Sequence, residues 1–94
     1  MKVVFTDPAL ADLDAILAYT ADNYPQLVAI LEKRIRNTIA RIQDFPRSAR
    51  ILEERPEIRV VPLLRYPYLI FYRVRNNTIE ILHIHHAARN SSIE

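Results

Sequence analysis

The sequence predicts an α+β domain of order β-α-α-β-β-β, in which a helical hairpin packs on one face of a small, mainly antiparallel sheet. Two stretches of helical periodicity come early in the chain, and two strand patterns flanking a tight turn come late. Helices joined by a short connection lie antiparallel, and two of them cover a single face of such a sheet. With 94 residues, half of them hydrophobic, the chain is expected to form one domain, residues 1–94.

The first half of the chain predicts a short strand and two helices. Lys2 to Phe5 is a short apolar run, and Thr6-Asp7-Pro8 marks a helix start because an oxygen-bearing cap precedes a proline in the first turn. The first helix is predicted from Pro8 to about Asn23. Tyr24-Pro25 interrupts it, and a second helix follows until Pro46, on the apolar positions Leu27, Leu31, Ile35, Ile39, Ile42 and Phe45.

The second half predicts a β-hairpin preceded by another strand. Tyr68 to Val74 and Thr78 to His86 are rich in aromatic and β-branched residues, and Asn76-Asn77 between them tolerates the positive φ angles of a two-residue turn. A strand at Ile58 to Val61 is expected to be an edge or bulged strand, since Pro62 cannot donate a ladder hydrogen bond. Counting outward from the turn pairs Val74 with Ile79, Arg73 with Glu80, Phe71 with Leu82 and Leu69 with Ile84.

This register makes both faces of the hairpin apolar, although two helices cover only one. We therefore expect the other face to be a groove that binds an acidic, amphipathic peptide. The residues assigned to this face are Leu69, Phe71, Arg73, Arg75, Leu82 and Ile84. The alternative is that the charged segment from Arg47 to Glu57 folds over it.

Composition narrows the possible classes of protein. The chain has no cysteine, which excludes disulfides and thiolate metal sites. It has no apolar run of about 18 residues and no signal-like start, so we expect a cytoplasmic protein without a membrane partner. The net charge is only +2, but residues 45–94 hold eight arginines against five acids, so the sheet half is the cationic half.

Several charged or polar residues in the cationic half are candidates for function. Arg65, His86 and Arg89 are predicted to lie near one another, with Arg65 and Arg89 as target contacts and His86 as a structural latch for the C-terminal segment. Arg73 opposite Glu80 is expected to be a cross-strand ion pair.

The three histidines are not expected to form a metal site. Successive strand residues point to opposite faces, so only His83 and His85 can share one, and no carboxylate follows at ligand spacing. The register above places His83 among apolar residues as a packed core side chain. No metal and no other cofactor is predicted.

Three segments resemble the RelE/ParE toxin superfamily. They are D-P-A-L-A-D-L-D-A-I at Asp7 to Ile16, P-Y-L-I-F-Y-R-V at Pro67 to Val74, and I-L-H-I-H-H-A-A-R-N at Ile81 to Asn90. The last contains a histidine-alanine-alanine-arginine sequence that is similar to the usual histidine-glycine-alanine-arginine ending, with Ala87 in the glycine's place.

The resemblance implies the same fold and a toxin of a type II toxin–antitoxin module. Such a toxin is held inactive by a cognate antitoxin whose tail wraps it, and it contacts operator DNA only indirectly, through that antitoxin. The chain's apolar second face would then be the antitoxin-binding surface.

Two branches of the superfamily differ in their target. ParE-like members poison DNA gyrase, whereas RelE-like members cleave messenger RNA on the ribosome, which requires an acid, a base and clustered cations. Only two lysines are present, and no tyrosine, histidine or lysine follows Arg89, which favours the ParE-like branch and a protein inhibitor rather than an enzyme. The alternatives are a nuclease using Arg65, His86 and Arg89, and an inactive interaction module.

Overall fold

The computed structural model describes residues 1–88 and confirms the α+β prediction, with one strand more than expected. The elements in chain order are β1 (Lys2–Phe5), α1 (Asp7–Asn23), a 3₁₀ turn (Pro25–Leu27), α2 (Val28–Asp44), β2 (Arg50–Ile51), β3 (Arg59–Pro62), β4 (Tyr68–Arg75) and β5 (Thr78–His86). The two-residue β2 is the element that was not predicted. Over residues 1–88, neither helix combines the length and apolar character needed to cross a lipid bilayer.

The sheet has the strand order β1-β5-β4-β3-β2. β1 runs parallel to β5, and the other three pairs of neighbours are antiparallel. The central strands β4 and β5 are therefore the last two in the sequence. β1 is four residues long and covers only the first half of the nine-residue β5.

The helix boundaries agree with the prediction. The Thr6 hydroxyl accepts a hydrogen bond from the Ala9 amide at 3.3 Å, which caps α1 and satisfies a donor that has no partner within the helix. α1 ends at Asn23, where the Tyr24 amide donates to the Thr20 carbonyl at 2.7 Å. α2 follows the 3₁₀ turn and ends two residues before Pro46.

The main core lies between the two helices and one face of the sheet. The helices contribute Ala9, Ile16, Leu31, Ile35 and Ile42, and the loop and strands contribute Leu63, Ile70, Tyr72, Ile79, Ile81 and Ile84. Tyr72 is fully buried in this core, and its hydroxyl donates to the Pro46 carbonyl at 2.7 Å. This bond attaches the segment after α2 to the centre of the sheet.

The hairpin turn is the predicted one, but the predicted register holds only for the residues nearest to it. Asn76 and Asn77 have φ angles of 54° and 56°, and Val74 pairs with Ile79 and Arg73 with Glu80. A β-bulge then interrupts the ladder: Tyr72 pairs with Ile81 and Phe71 with His83, which leaves Leu82 without a partner. The predicted pairs Phe71–Leu82 and Leu69–Ile84 are therefore wrong.

The bulge also corrects the residues assigned to the open face. Ile84 is 3% exposed and packs beneath the helices, because the extra residue turns its side chain to the opposite face. Phe71 does lie on the outer face but is 2% exposed, in a small second core with Ile58 and Val60 against which Leu52 packs. The segment before β3 thus covers part of this face, as the alternative interpretation expected, and Leu69 and Leu82 remain half-buried at its margin.

Candidate functional site

Among residues 1–88, no strand covers the outer edge of the second half of β5. β1 ends at Phe5, and the next residue, Thr6, continues the contacts with β5. The Thr6 amide donates to the Ile81 carbonyl at 3.1 Å. The Thr6 hydroxyl lies 2.9 Å from the same oxygen and 3.2 Å from the Leu82 carbonyl oxygen. Asp12 of α1 follows, and its carboxylate accepts the Ile84 amide at 2.9 Å. Helix side chains therefore complete the ladder where the strand is missing.

Two histidines meet at the same carboxylate. His83 Nδ1 lies 3.3 Å from Asp12 Oδ2, His85 Nε2 lies 3.9 Å from the same atom, and the two rings are 4.7 Å apart. The prediction that His83 is a packed core residue is wrong, because the bulge moves it to the outer face opposite Phe71. The prediction that His83 and His85 are the histidines able to share a site is confirmed.

His86 lies apart from this pair and is tied to the end of the described chain. Its Nδ1 accepts a hydrogen bond from the Ala88 amide at 3.1 Å, and its ring meets that of Tyr68 edge-on at 5.6 Å. The Ala87 amide donates to the Pro67 carbonyl at 2.7 Å. These contacts fit the latch that was predicted for His86.

Arg65 is an exposed residue with a left-handed backbone, φ 71°. It lies in the turn between β3 and β4, which is closed by a 3.2 Å hydrogen bond from the Tyr66 amide to the Leu63 carbonyl. For a residue with a Cβ atom, this conformation costs about 1 kcal/mol or more relative to a right-handed backbone. Arg89, the other predicted target contact, lies outside the described residues.

A cavity of about 700 Å³ opens beside the histidines, between α1, the 3₁₀ turn and the ends of β4 and β5. Four tyrosines contribute to its wall together with Asp12, His85 and His86: Tyr19, Tyr24, Tyr66 and Tyr68. Sequence analysis missed this cavity, because the tyrosines come from two distant stretches, residues 19–24 and 66–68, that only the folded chain brings together.

The predicted Arg73–Glu80 pair is confirmed. Arg73 donates to the Glu80 carboxylate, and Arg75 lies 3.6 Å from its second oxygen. The hydrogen bond from Arg73 is the largest of the effects that hold the pKa of Glu80 below its ordinary value, and the charges of Arg73 and Arg75 add to it. Both arginines are thus partly neutralised within the chain.

Comparisons with known proteins agree with this architecture. The family model described as the ParE toxin of the type II toxin–antitoxin system, parDE, matches residues 3–91. Toxin RelE2 of Caulobacter vibrioides is 34% identical over 89 residues, which cover 94% of this chain and 97% of that protein.

Two solved structures share the fold. A chain of the chromosomal ParDE TA system from P. aeruginosa superposes with a TM-score of 0.79 at 28% identity, over 92% of this chain and 95% of that one. The YoeB/ParE toxin from Agrobacterium tumefaciens gives a TM-score of 0.65 at 15% identity, over 92% and 98%, and shows likeness of fold alone.

The fold and these matches define a small α+β toxin of the RelE/ParE superfamily. The chain belongs to the ParE toxin family of type II toxin–antitoxin systems.

Proposed function

We propose that this toxin arrests growth by inhibiting DNA gyrase in the cytoplasm until a cognate antitoxin neutralises it. The match of residues 3–91 to the ParE toxin family is the observation that carries the proposal. Resemblance to the ParE-like branch implies DNA gyrase as the target. The 28% identity and TM-score of 0.79 with a chain of a ParDE system support the same branch.

The environment of His86 also supports an inhibitor rather than a nuclease. A general base needs an unoccupied nitrogen within reach of the proton that it removes. The Nδ1 atom of His86 already accepts the Ala88 amide, so the proton of the neutral ring is on Nε2. In this arrangement His86 is a hydrogen-bonding element of the C-terminal segment and offers no second acceptor nitrogen to serve as the general base.

Arg65 is our proposed target contact, together with Arg89. An exposed arginine held at φ 71° keeps an unfavourable backbone without contributing to the core, which is a common property of functional positions. Asparagine tolerates a left-handed backbone, so Arg65→Asn removes the guanidinium while preserving the turn. We expect this variant to lose growth arrest at an unchanged melting temperature.

The matched control is Arg36→Gln, which removes one exposed positive charge from α2 and keeps good helix propensity. It should arrest growth like the parent chain. Full arrest by a folded Arg65→Asn variant would remove Arg65 from the target contact.

For the antitoxin, we propose an acidic, amphipathic tail that binds beside the exposed part of the outer face. Leu69 and Leu82 offer half-buried apolar surface there, and Arg73 and Arg75 supply positive charge. Phe71 and Ile84 stay beneath the surface and are no longer part of the proposed contact. Operator DNA is reached only through the antitoxin.

The alternative target is messenger RNA on the ribosome, favoured by one observation: a relative that is 34% identical bears the name Toxin RelE2. The deciding experiment incubates the purified chain with gyrase, ATP and supercoiled plasmid, and in parallel with ribosomes and a message. Linear plasmid with intact message supports gyrase inhibition. Cut message with undisturbed plasmid supports the nuclease and assigns its chemistry to Arg65, His86 and Arg89.

A third outcome of these experiments would identify the chain as an inactive interaction module instead of a toxin. If expression of the folded chain without antitoxin leaves growth normal, and neither plasmid nor message is cut, the toxin activity is lost and the antitoxin-binding function alone is retained.

A further inference from the structure

We propose that Asp12, His83 and His85 form a binding site for a divalent transition-metal ion of the zinc class. One candidate donor atom from each residue lies within 4.8 Å of the others. The three residues come from α1 and the second half of β5, so a bound ion would connect the helix to the strand. The inference is independent of whether the toxin acts on gyrase or on the ribosome.

The two donor distances to the Asp12 carboxylate are close to those between the ligands of a metal site. Ligand atoms about 2.0–2.2 Å from a tetrahedral zinc ion lie roughly 3.3–3.5 Å from one another. The distance from His83 Nδ1 to Asp12 Oδ2 is 3.3 Å, and His85 Nε2 lies 3.9 Å from the same oxygen. Zinc binding therefore requires the His85 nitrogen to approach the carboxylate by a few tenths of an ångström, about 0.4–0.6 Å.

The backbone holds the three ligands in place before any ion binds. Residues two apart in a strand project to the same face, so His83 and His85 stand side by side on β5. The Ile84 amide between them donates to Asp12 at 2.9 Å, which fixes the carboxylate opposite the two rings. Ligating carboxylates in metal sites are commonly oriented by such an outer hydrogen bond.

The ligand types select the kind of ion. Two imidazoles and one carboxylate suit zinc, iron, nickel or copper, whereas magnesium prefers oxygen ligands and retains its waters. The three side chains are between 27% and 29% exposed, which leaves room for water in the remaining coordination positions. Asp12 and His85 also line the 700 Å³ cavity, so the ion would lie at its border.

The test is a calorimetric titration of the full chain, with any affinity tag removed and metal stripped by chelator, using Zn²⁺ and then Mg²⁺. We expect one Zn²⁺ per chain, a higher melting temperature in its presence, and no comparable effect of Mg²⁺. His83→Gln and His85→Gln should each weaken Zn²⁺ binding by at least about tenfold, since outer-shell changes alone cost that much. His86→Gln is the matched control and should leave Zn²⁺ affinity unchanged, because this histidine lies outside the cluster.

Circular dichroism in metal-free buffer establishes that each variant is folded. Asp12→Asn is a further test of the site. Asparagine retains an oxygen that can accept the hydrogen bond from the Ile84 amide but lacks the negative charge of the proposed ligand, so this variant should also weaken Zn²⁺ binding. Failure of the parent chain to bind Zn²⁺ would overturn the proposal. Equal weakening by His86→Gln and by the two cluster variants would overturn it as well.

Discussion

Removal of the buried Tyr72 hydroxyl from the main core should have a large and measurable effect on stability. Tyr72→Phe deletes one oxygen and keeps the ring, so the packing of the helices on β4 is preserved. The lost atom donates to the Pro46 carbonyl at 2.7 Å, and the Tyr72 side chain is fully buried. The substitution therefore isolates one hydrogen bond.

The expected loss follows from the two partners. A buried neutral hydrogen bond makes a net contribution of about 1 kcal/mol, whereas removing one partner and leaving a buried acceptor unsatisfied costs about 1–3 kcal/mol in total when water cannot reach it. Pro46 is only half-buried, so water can replace part of the bond. We expect Tyr72→Phe to lower the free energy of unfolding by about 1–2 kcal/mol, which corresponds to roughly 5–10 °C in melting temperature for a domain of this size.

Alkaline pH gives a second test of the same hydroxyl. Burial raises the pKa of Tyr72 above its ordinary value of 10.0, and the charge of Arg59 offsets this in part. Because the folded state binds this proton more tightly, the contribution is fully present below pH 10.0 and is lost as the pH rises through the folded pKa. The parent chain should thus lose more stability above that pH than Tyr72→Phe does.

Urea unfolding followed by circular dichroism measures both effects. Tyr19→Phe is the control, because Tyr19 is 57% exposed and its substitution should change stability by less than about 0.5 kcal/mol. If Tyr72→Phe is as stable as the parent chain at neutral pH, the bond to Pro46 contributes nothing. If the two chains respond identically to alkali, the hydroxyl is not protected by burial.

Three further predictions concern the hairpin and the end of the described chain. Asn77→Ala should lower the free energy of unfolding by about 1 kcal/mol because Asn77 has a φ angle of 56°, whereas Asn77→Gly should not; calorimetric melting compares them. The pKa of Glu80 is lowered, so its contribution to stability is present above the ordinary value of 4.5 and is lost as the pH falls through the folded pKa. On acid titration, Glu80→Gln should therefore lose less stability than the parent chain, with a difference of at most about 1 kcal/mol. Identical acid profiles of the two chains would contradict the pairing with Arg73. His86→Gln should reduce stability by about 1 kcal/mol while growth arrest stays proportional to folded protein, and a fully stable but inactive variant would refute the latch.

Local sequence patterns were sufficient for most of the fold. The Thr6-Asp7-Pro8 start, the stop before Pro46 and the Asn76-Asn77 turn each depend on neighbouring residues, and the structure places all three as predicted. β2 was missed because a two-residue strand carries no periodicity of its own and exists only by pairing with β3.

The register beyond Arg73 could not be obtained by counting from the turn, because a single unpaired residue reverses every later side chain. The signal was nevertheless present. Ile79, Ile81 and Ile84 are all core residues, and the step from two to three positions between them marks an extra residue at Leu82. Strict alternation was assumed instead, which placed Ile84 and His83 on the wrong faces.

The grouping of Asp12 with His83 and His85 could not be predicted from the spacing of residues in the sequence. Asp12 is separated from Ile84 by 72 positions, and its role depends on β1 ending before β5 does. The sequence suggested that His83 and His85 share a face, but the carboxylate that meets them comes from the helix that replaces the missing strand.

The bulge at Leu82 explains why the core and the polar cluster occur together at this edge. If Leu82 were paired in a regular ladder instead of bulged, His83 and His85 would point into the apolar core beneath the helices, and Ile84 would be exposed on the outer face. With the bulge, Ile84 completes the core and both histidines reach the edge where Asp12 is already held by the Ile84 amide. One irregularity in β5 therefore preserves the hydrophobic core and assembles the charged site, since a regular ladder that included Leu82 would lose both together.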